Sequence, residues 1–96
     1  MKLLTLLAVF VLFAPGFSIA DEDSELRAEI LGEQAGKLIA GDHTEYKPEI
    51  AKAECRETFY EKWEEHFKEK GFDTDPATVD SFVLGCMNKY NKKFGK

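Results

Sequence analysis

The sequence predicts an all-α fold, a small three-helix bundle built on an antiparallel hairpin of helices two and three and stapled by one disulfide. Three observations predict it. Apolar residues recur every three or four positions in three segments. Proline or glycine punctuates the boundaries between those segments. Two cysteines lie on the apolar stripes of the second and third segments, which is where a buried interhelical bridge would have to start.

The first twenty residues have the order of a secretory signal peptide. A positive start at Lys2 is followed by an apolar run over 3–13, by the helix breakers Pro15 and Gly16, and by small residues that suit a cut after Ala20. The run is too short to cross a bilayer as a helix. The sequence therefore predicts cleavage after residue 20 and a soluble exported protein, periplasmic or extracellular, with no membrane span after cleavage.

Residues 21–96 are expected to form a single domain that is acidic and rich in charge. The full chain of 96 residues has a net charge of -5, and all of its 18 acidic residues follow position 20. A body of this size is too small for a two-domain enzyme with a cleft between its halves. The acidic balance argues against nucleic acid as a partner.

The first helix is predicted over 24–40. Large apolar residues recur along it, and a second row at i, i+4 spacing holds only small ones. We interpret this second row as a close-packing seam against another backbone, within the domain or from a partner, and the alternative is a weak, frayed helix. The residues of the seam are Ala28, Gly32, Gly36 and Ala40.

The second helix is predicted over 48–70, from Pro48 at its first turn to a left-handed cap at Gly71. Its apolar stripe repeats every four residues and is unusually aromatic. Such a stripe either fills a small core or leaves part of itself at a surface that binds a peptide or an apolar ligand. This candidate binding surface comprises Phe59, Tyr60, Trp63 and Phe67.

The third helix is predicted over 76–94, with Asp75 as its N-cap and Pro76 in its first turn. Its apolar residues follow the amphipathic pattern closely, and they are Val79, Phe82, Val83, Cys86, Met87, Tyr90 and Phe94. The five-residue connection over 71–75 predicts that helices two and three form an antiparallel hairpin.

Cys55 and Cys86 are predicted to form a structural disulfide, because an even number of cysteines in a small exported protein is most often explained by disulfide bonding. A redox pair, a metal site and an intermolecular bridge are the alternatives. Closing a loop of about 31 residues stabilises the fold by roughly 3–4 kcal/mol on the chain-entropy model. Measured along the helix axes from the connecting loop, the expected positions of the two cysteines differ by about 7 Å. A helix crossing angle, a leaning loop or an early end of helix two must absorb this difference.

No catalytic residue, metal site or cofactor is predicted. Ser24 and Ser81 lack the setting of a nucleophile, and only His43 and His66 could join the two thiols as metal ligands. The leading hypothesis is therefore a non-enzymatic exported helical protein that binds another macromolecule, a protein or peptide, as an inhibitor, an immunity factor or an envelope accessory protein. The sequence leaves the oligomeric state open.

Two alternative functions remain open. The first is a periplasmic acid-stress chaperone, because neutralising 18 carboxylates at low pH would leave a strongly positive, self-repelling chain. Small two-cysteine periplasmic acid chaperones look similar in signal peptide, size and helical content, although their cysteine spacing and sequence do not align with this chain. The second is a carrier of a small apolar ligand or peptide, which the aromatic stripe would bind.

Overall fold

A computed structural model describes residues 23–96, and the predicted signal peptide lies outside this range. Helices account for 81% of the described residues, and none of these residues is in a strand, so the predicted all-α class is confirmed. Helix α1 covers 23–42 of the described range. After a short loop come α2 (Pro48–Thr58), a π-helical segment (Phe59–Trp63) and α3 (Glu64–Glu69), which follow one another without a break, and then α4 (Pro76–Lys93).

The ends of α4 and α3 follow the signals in the sequence. The carboxylate of Asp75 accepts hydrogen bonds from the backbone N–H of Thr78 at 3.1 Å and from its hydroxyl at 2.7 Å. These bonds from the Thr78 side chain and backbone lower the pKa of Asp75 from its ordinary value. Gly71 has a φ of +81° immediately after α3, a conformation that glycine adopts without steric penalty.

Helix α1 continues to residue 42, two residues beyond the predicted end at residue 40. The additional turn is capped from another helix, because the ammonium group of Lys93 donates to the carbonyl oxygens of Ala40 and His43. A cation at the carboxyl end of a helix also interacts favourably with the helix dipole. The signal for this cap lies about 50 residues away in the sequence.

The π-helical segment explains how an apolar repeat of four residues stays on one face. On an α-helix each four-residue step drifts by about 40°, so Phe67 would lie about 160° away from Ala51. A π-helical turn accommodates one extra residue and takes back roughly 100° of that drift. As a result Ala51, Cys55, Phe59 and Phe67 are all fully buried.

The Cys55–Cys86 bridge is formed within the chain, with a Cα–Cα distance of 6.0 Å. The core surrounds it, and Phe59 packs edge-to-face on Phe67 and on Phe82 at 5.4 Å. Because a π-helical turn holds one residue more than an α-helical turn, the segment also takes up part of the expected mismatch in cysteine height. The structural disulfide predicted from the sequence is confirmed.

Helix α1 packs on α4 through glycines, with backbone against backbone. A Cβ atom on Gly32 would overlap the carbonyl oxygen of Phe82 and lie 2.9 Å from its carbonyl carbon. Gly36 makes the same approach to Cys86, and Gly85 of α4 approaches Glu29. Such close crossings bring Cα–H groups toward carbonyl oxygens. The predicted seam therefore lies against α4 of the same chain.

Candidate functional site

Helix α1 buries its small residues and leaves three of its large apolar ones exposed. Ala28 is fully buried and Ala35 and Ala40 are nearly so, whereas Leu26, Ile30 and Leu38 are 59%, 50% and 74% exposed. Of the large apolar residues that predict this helix, Leu31 and Ile39 are partly buried against the core, and the other three are exposed. At the crossing points of Gly32 and Gly36 the α4 backbone comes too close for any larger residue.

A groove lies beside this apolar face, between α1 and the chain of the π-helical segment and α3. It consists of two adjoining hollows of about 270 and 250 Å³ that share Leu31 and Trp63 in their walls. The first hollow opens toward Asp23, Arg27 and His66. The second is more apolar and is lined by Leu31, Gln34, Ala35, Leu38, Ile39, Thr58, Lys62 and Trp63. We call the two hollows together the α1 groove.

Trp63 reaches the groove because it ends the π-helical segment. Its backbone departs from ideal helical angles, with φ -119° and ψ -23°. In the four-residue repeat it lies between Phe59 and Phe67, which are fully buried, yet Trp63 itself is only partly buried and packs edge-to-face on His66 at 5.6 Å. The local change of helical pitch therefore keeps both phenylalanines inside and directs the indole to the groove, and π-bulges are frequent at functional sites.

The structure divides the predicted binding surface. Phe59 and Phe67 have no exposed area and belong to the core, so neither can contact a partner in this state. Tyr60 is 50% exposed and packs on the edge of Phe59, but it lines neither hollow. Trp63 is the one member of the set that lies in the groove. The remaining groove residues come mostly from α1, with Thr58, Lys62 and His66 from the opposite wall, and none of them was predicted as a binding surface.

A partly buried polar cluster joins the loop over 43–47 to α4. The Tyr90 hydroxyl lies 2.9 Å from Nδ1 of His43 and accepts the backbone N–H of Lys47 at 2.7 Å, while Nε2 of His43 lies 2.8 Å from a carboxylate oxygen of Glu54. The chain of Glu, His and Tyr has the connectivity of an activated nucleophile. However, Tyr90 has no exposed area, so no substrate can reach its hydroxyl. The cluster holds the loop in place.

Lysines gather where the end of α1 meets α4. A depression there is lined by Lys37, Lys89, Lys92 and Lys93 together with the last turn of α1. Lys93 is occupied by the α1 carbonyls. This places the basic residues of the carboxyl-terminal segment beside the last turn of α1.

Within residues 23–96, no three His, Cys, Asp or Glu side chains converge in a way that could hold a metal ion. The same part of the chain contains no helix that is long and apolar enough to cross a membrane. Comparison with protein families, with curated proteins and with solved structures finds no match for this chain. The α1 groove and the apolar face beside it are therefore the features of the described residues that bear most directly on function.

Proposed function

We propose that this protein is a non-enzymatic exported helical protein that acts by binding another macromolecule at the exposed face of α1 and the adjoining groove. One observation carries the proposal, which is that α1 packs its small residues inward and presents Leu26, Ile30 and Leu38 to solvent. Contiguous exposed apolar surface bordered by polar residues is typical of interaction sites. The predicted signal peptide and the disulfide support export.

The proposed architecture is a three-helix bundle in which α2 and α4 are antiparallel and α1 completes the third side. The pairs that support it are Lys47 with Tyr90, Cys55 with Cys86 and Phe59 with Phe82, since positions in α4 fall as positions along the second helix rise. In this arrangement α2 and α4 form a rigid base that the disulfide holds together. Helix α1 packs on that base through its small face, which leaves the opposite face for a partner.

Affinity capture of the tagged, exported protein from its native envelope or secretion fluid tests the proposal. Leu38→Gln removes the most exposed leucine of the face, and Leu84→Gln makes the same change at a residue of α4 that is 53% exposed and lines neither hollow. We expect the wild type and Leu84→Gln to retain the same partner, and Leu38→Gln to recover at least tenfold less. Equal recovery by all three would show that the α1 face is not the binding site, and recovery of no partner would contradict the binding function itself.

A further inference from the structure

The α1 groove has the length of a short helix. It runs along α1 from Asp23 at its first hollow to Ile39 at its second, which is about 24 Å at 1.5 Å per residue. Leu31 and Trp63 form the middle of its floor, where the two hollows meet. A helical occupant that fills it lengthwise would present about four turns, with apolar anchors on one side at helical spacing.

The charged residues of the groove favour an occupant with acidic flanks. Its lining contains Arg27, Lys62 and His66 but a single carboxylate, Asp23, which lies 3.9 Å from the Arg27 guanidinium. Lys62 is exposed, and none of the described carboxylates forms an ion pair with it. With His66 neutral, the two cations and one carboxylate leave the lining with a formal charge of +1, carried by Lys62, in a chain whose net charge is -5. Complementary charge selects partners and orients them.

We infer that the macromolecule bound at this site presents an amphipathic α-helix of about 16 residues whose apolar face enters the α1 groove and whose flanks are acidic. The inference rests on the proposed function and adds the chemistry of the partner. A partner that binds by strand addition would need a sheet edge, and residues 23–96 contain no strand. A second copy that docked groove to groove would bring a surface of the same charge, which disfavours self-association through this face.

Two designed probes test the inference. Both are 16-residue lactam-stapled helices with leucine at positions 2, 6, 9 and 13, one with glutamate and the other with lysine at the flanking positions. Peptide anisotropy measures affinity, and the emission of Trp63, the single tryptophan, reports whether the peptide occupies the groove. We expect the acidic peptide to bind at least tenfold more tightly than the basic one, with a change in Trp63 emission.

Two charge reversals separate groove binding from general attraction. Lys62→Glu should reverse the preference, so that the basic peptide binds more tightly. Lys52→Glu, at an exposed lysine of α2 outside the groove, makes the same change in net charge and should leave the preference as it is. Equal effects of the two variants, or no preference in the wild type, would overturn the inference.

Three further outcomes would identify a different occupant of the groove. If vesicles containing 30% phosphatidylglycerol shift the Trp63 emission and neither peptide does, the face binds membrane and the inference is wrong. It is also wrong if the protein sediments as a dimer that Leu38→Gln dissociates. If a captured protein depends on Leu38 while neither peptide binds, the acidic-helix inference fails and the proposed function stands.

Discussion

Replacing Gly32 with alanine should destabilise the protein, even though alanine is the better helix former. The new Cβ would overlap the Phe82 carbonyl oxygen and lie 2.9 Å from its carbon, where ordinary contacts are about 3.5–4.0 Å. Both partners are helix backbone, so neither can rotate away, and α1 must move from α4 by about 1 Å. The whole row of small residues would lose close contact with α4 at the same time.

The magnitude follows from two opposing effects. Overpacking a tight site costs about 1–3 kcal/mol, and an approach to rigid backbone places this variant at the upper end of that range. The better helix propensity of alanine stabilises the folded state by about 1 kcal/mol. The net loss is therefore about 2 kcal/mol, or about 8–16 °C in the thermal midpoint for a domain of this size.

Gly41→Ala is the matched control, because Gly41 is helical and nothing lies within 4 Å of the position its Cβ would occupy. It should stabilise the protein by about 0.5 kcal/mol, as expected for a gain in propensity near a helix end. Urea unfolding followed by circular dichroism measures both variants under non-reducing conditions. If Gly32→Ala is as stable as the wild type, α1 does not pack on α4 through its glycines. The exposure of the large apolar residues of α1 would then not be explained by this packing.

Further variants test the staple, the loop cluster, the helix cap and the exposed face. Cys86→Ser should lower the thermal midpoint by well over about 10 °C, and a shift of a degree or two would show that the bridge contributes nothing. Tyr90→Phe should destabilise by about 1–3 kcal/mol, because it strips a buried hydroxyl from its partners, and hydrogen exchange should rise mainly in the loop 43–47. Since the pKa of Asp75 is lowered in the fold, the stabilisation by its charge is complete above about pH 4 and is lost as the pH falls through the lowered value. The stability difference between wild type and Asp75→Asn should therefore shrink in acid, and a constant difference would contradict this. Leu38→Gln should change the free energy of unfolding by no more than about 0.5 kcal/mol, and a larger loss would mean that this leucine supports the fold.

The sequence was sufficient for the features that depend on local patterns. The cap at Asp75 and the left-handed Gly71 can each be read from a few neighbouring residues, and the structure confirms both. The apolar stripe of α4 is amphipathic enough to predict its buried face, where Val79, Phe82 and Cys86 are all inside. The cysteine pair could be predicted as a bridge because both members lie on apolar stripes.

The features that escaped prediction depend on residues far apart in the sequence. Two apolar rows run along α1, and nothing in that segment decides whether the row of small residues packs within the domain or against a partner. The decision comes from Gly85 and the exposed carbonyl groups of α4 some 50 residues later. The π-helical segment cannot be predicted from the sequence for a related reason. A four-residue repeat is compatible with a drifting α-helix or with one extra residue in a turn, and only packing against the disulfide and Phe82 selects the second.

The orientation of α1 and the position of Trp63 have a common consequence for function. A helix of a small domain normally stabilises the fold with its large apolar side chains, at about 1.5–3 kcal/mol for each one that is fully buried. Here α1 packs through its glycines and alanines and through the partly buried Leu31 and Ile39, whereas Leu26, Ile30 and Leu38 stay exposed and contribute little to the stability of the isolated domain. The π-helical segment adds an indole to the same side without removing Phe59 or Phe67 from the core. Both devices separate the residues that hold the domain together from those that a partner can contact, so substitutions on this face are expected to change binding while the fold stays intact.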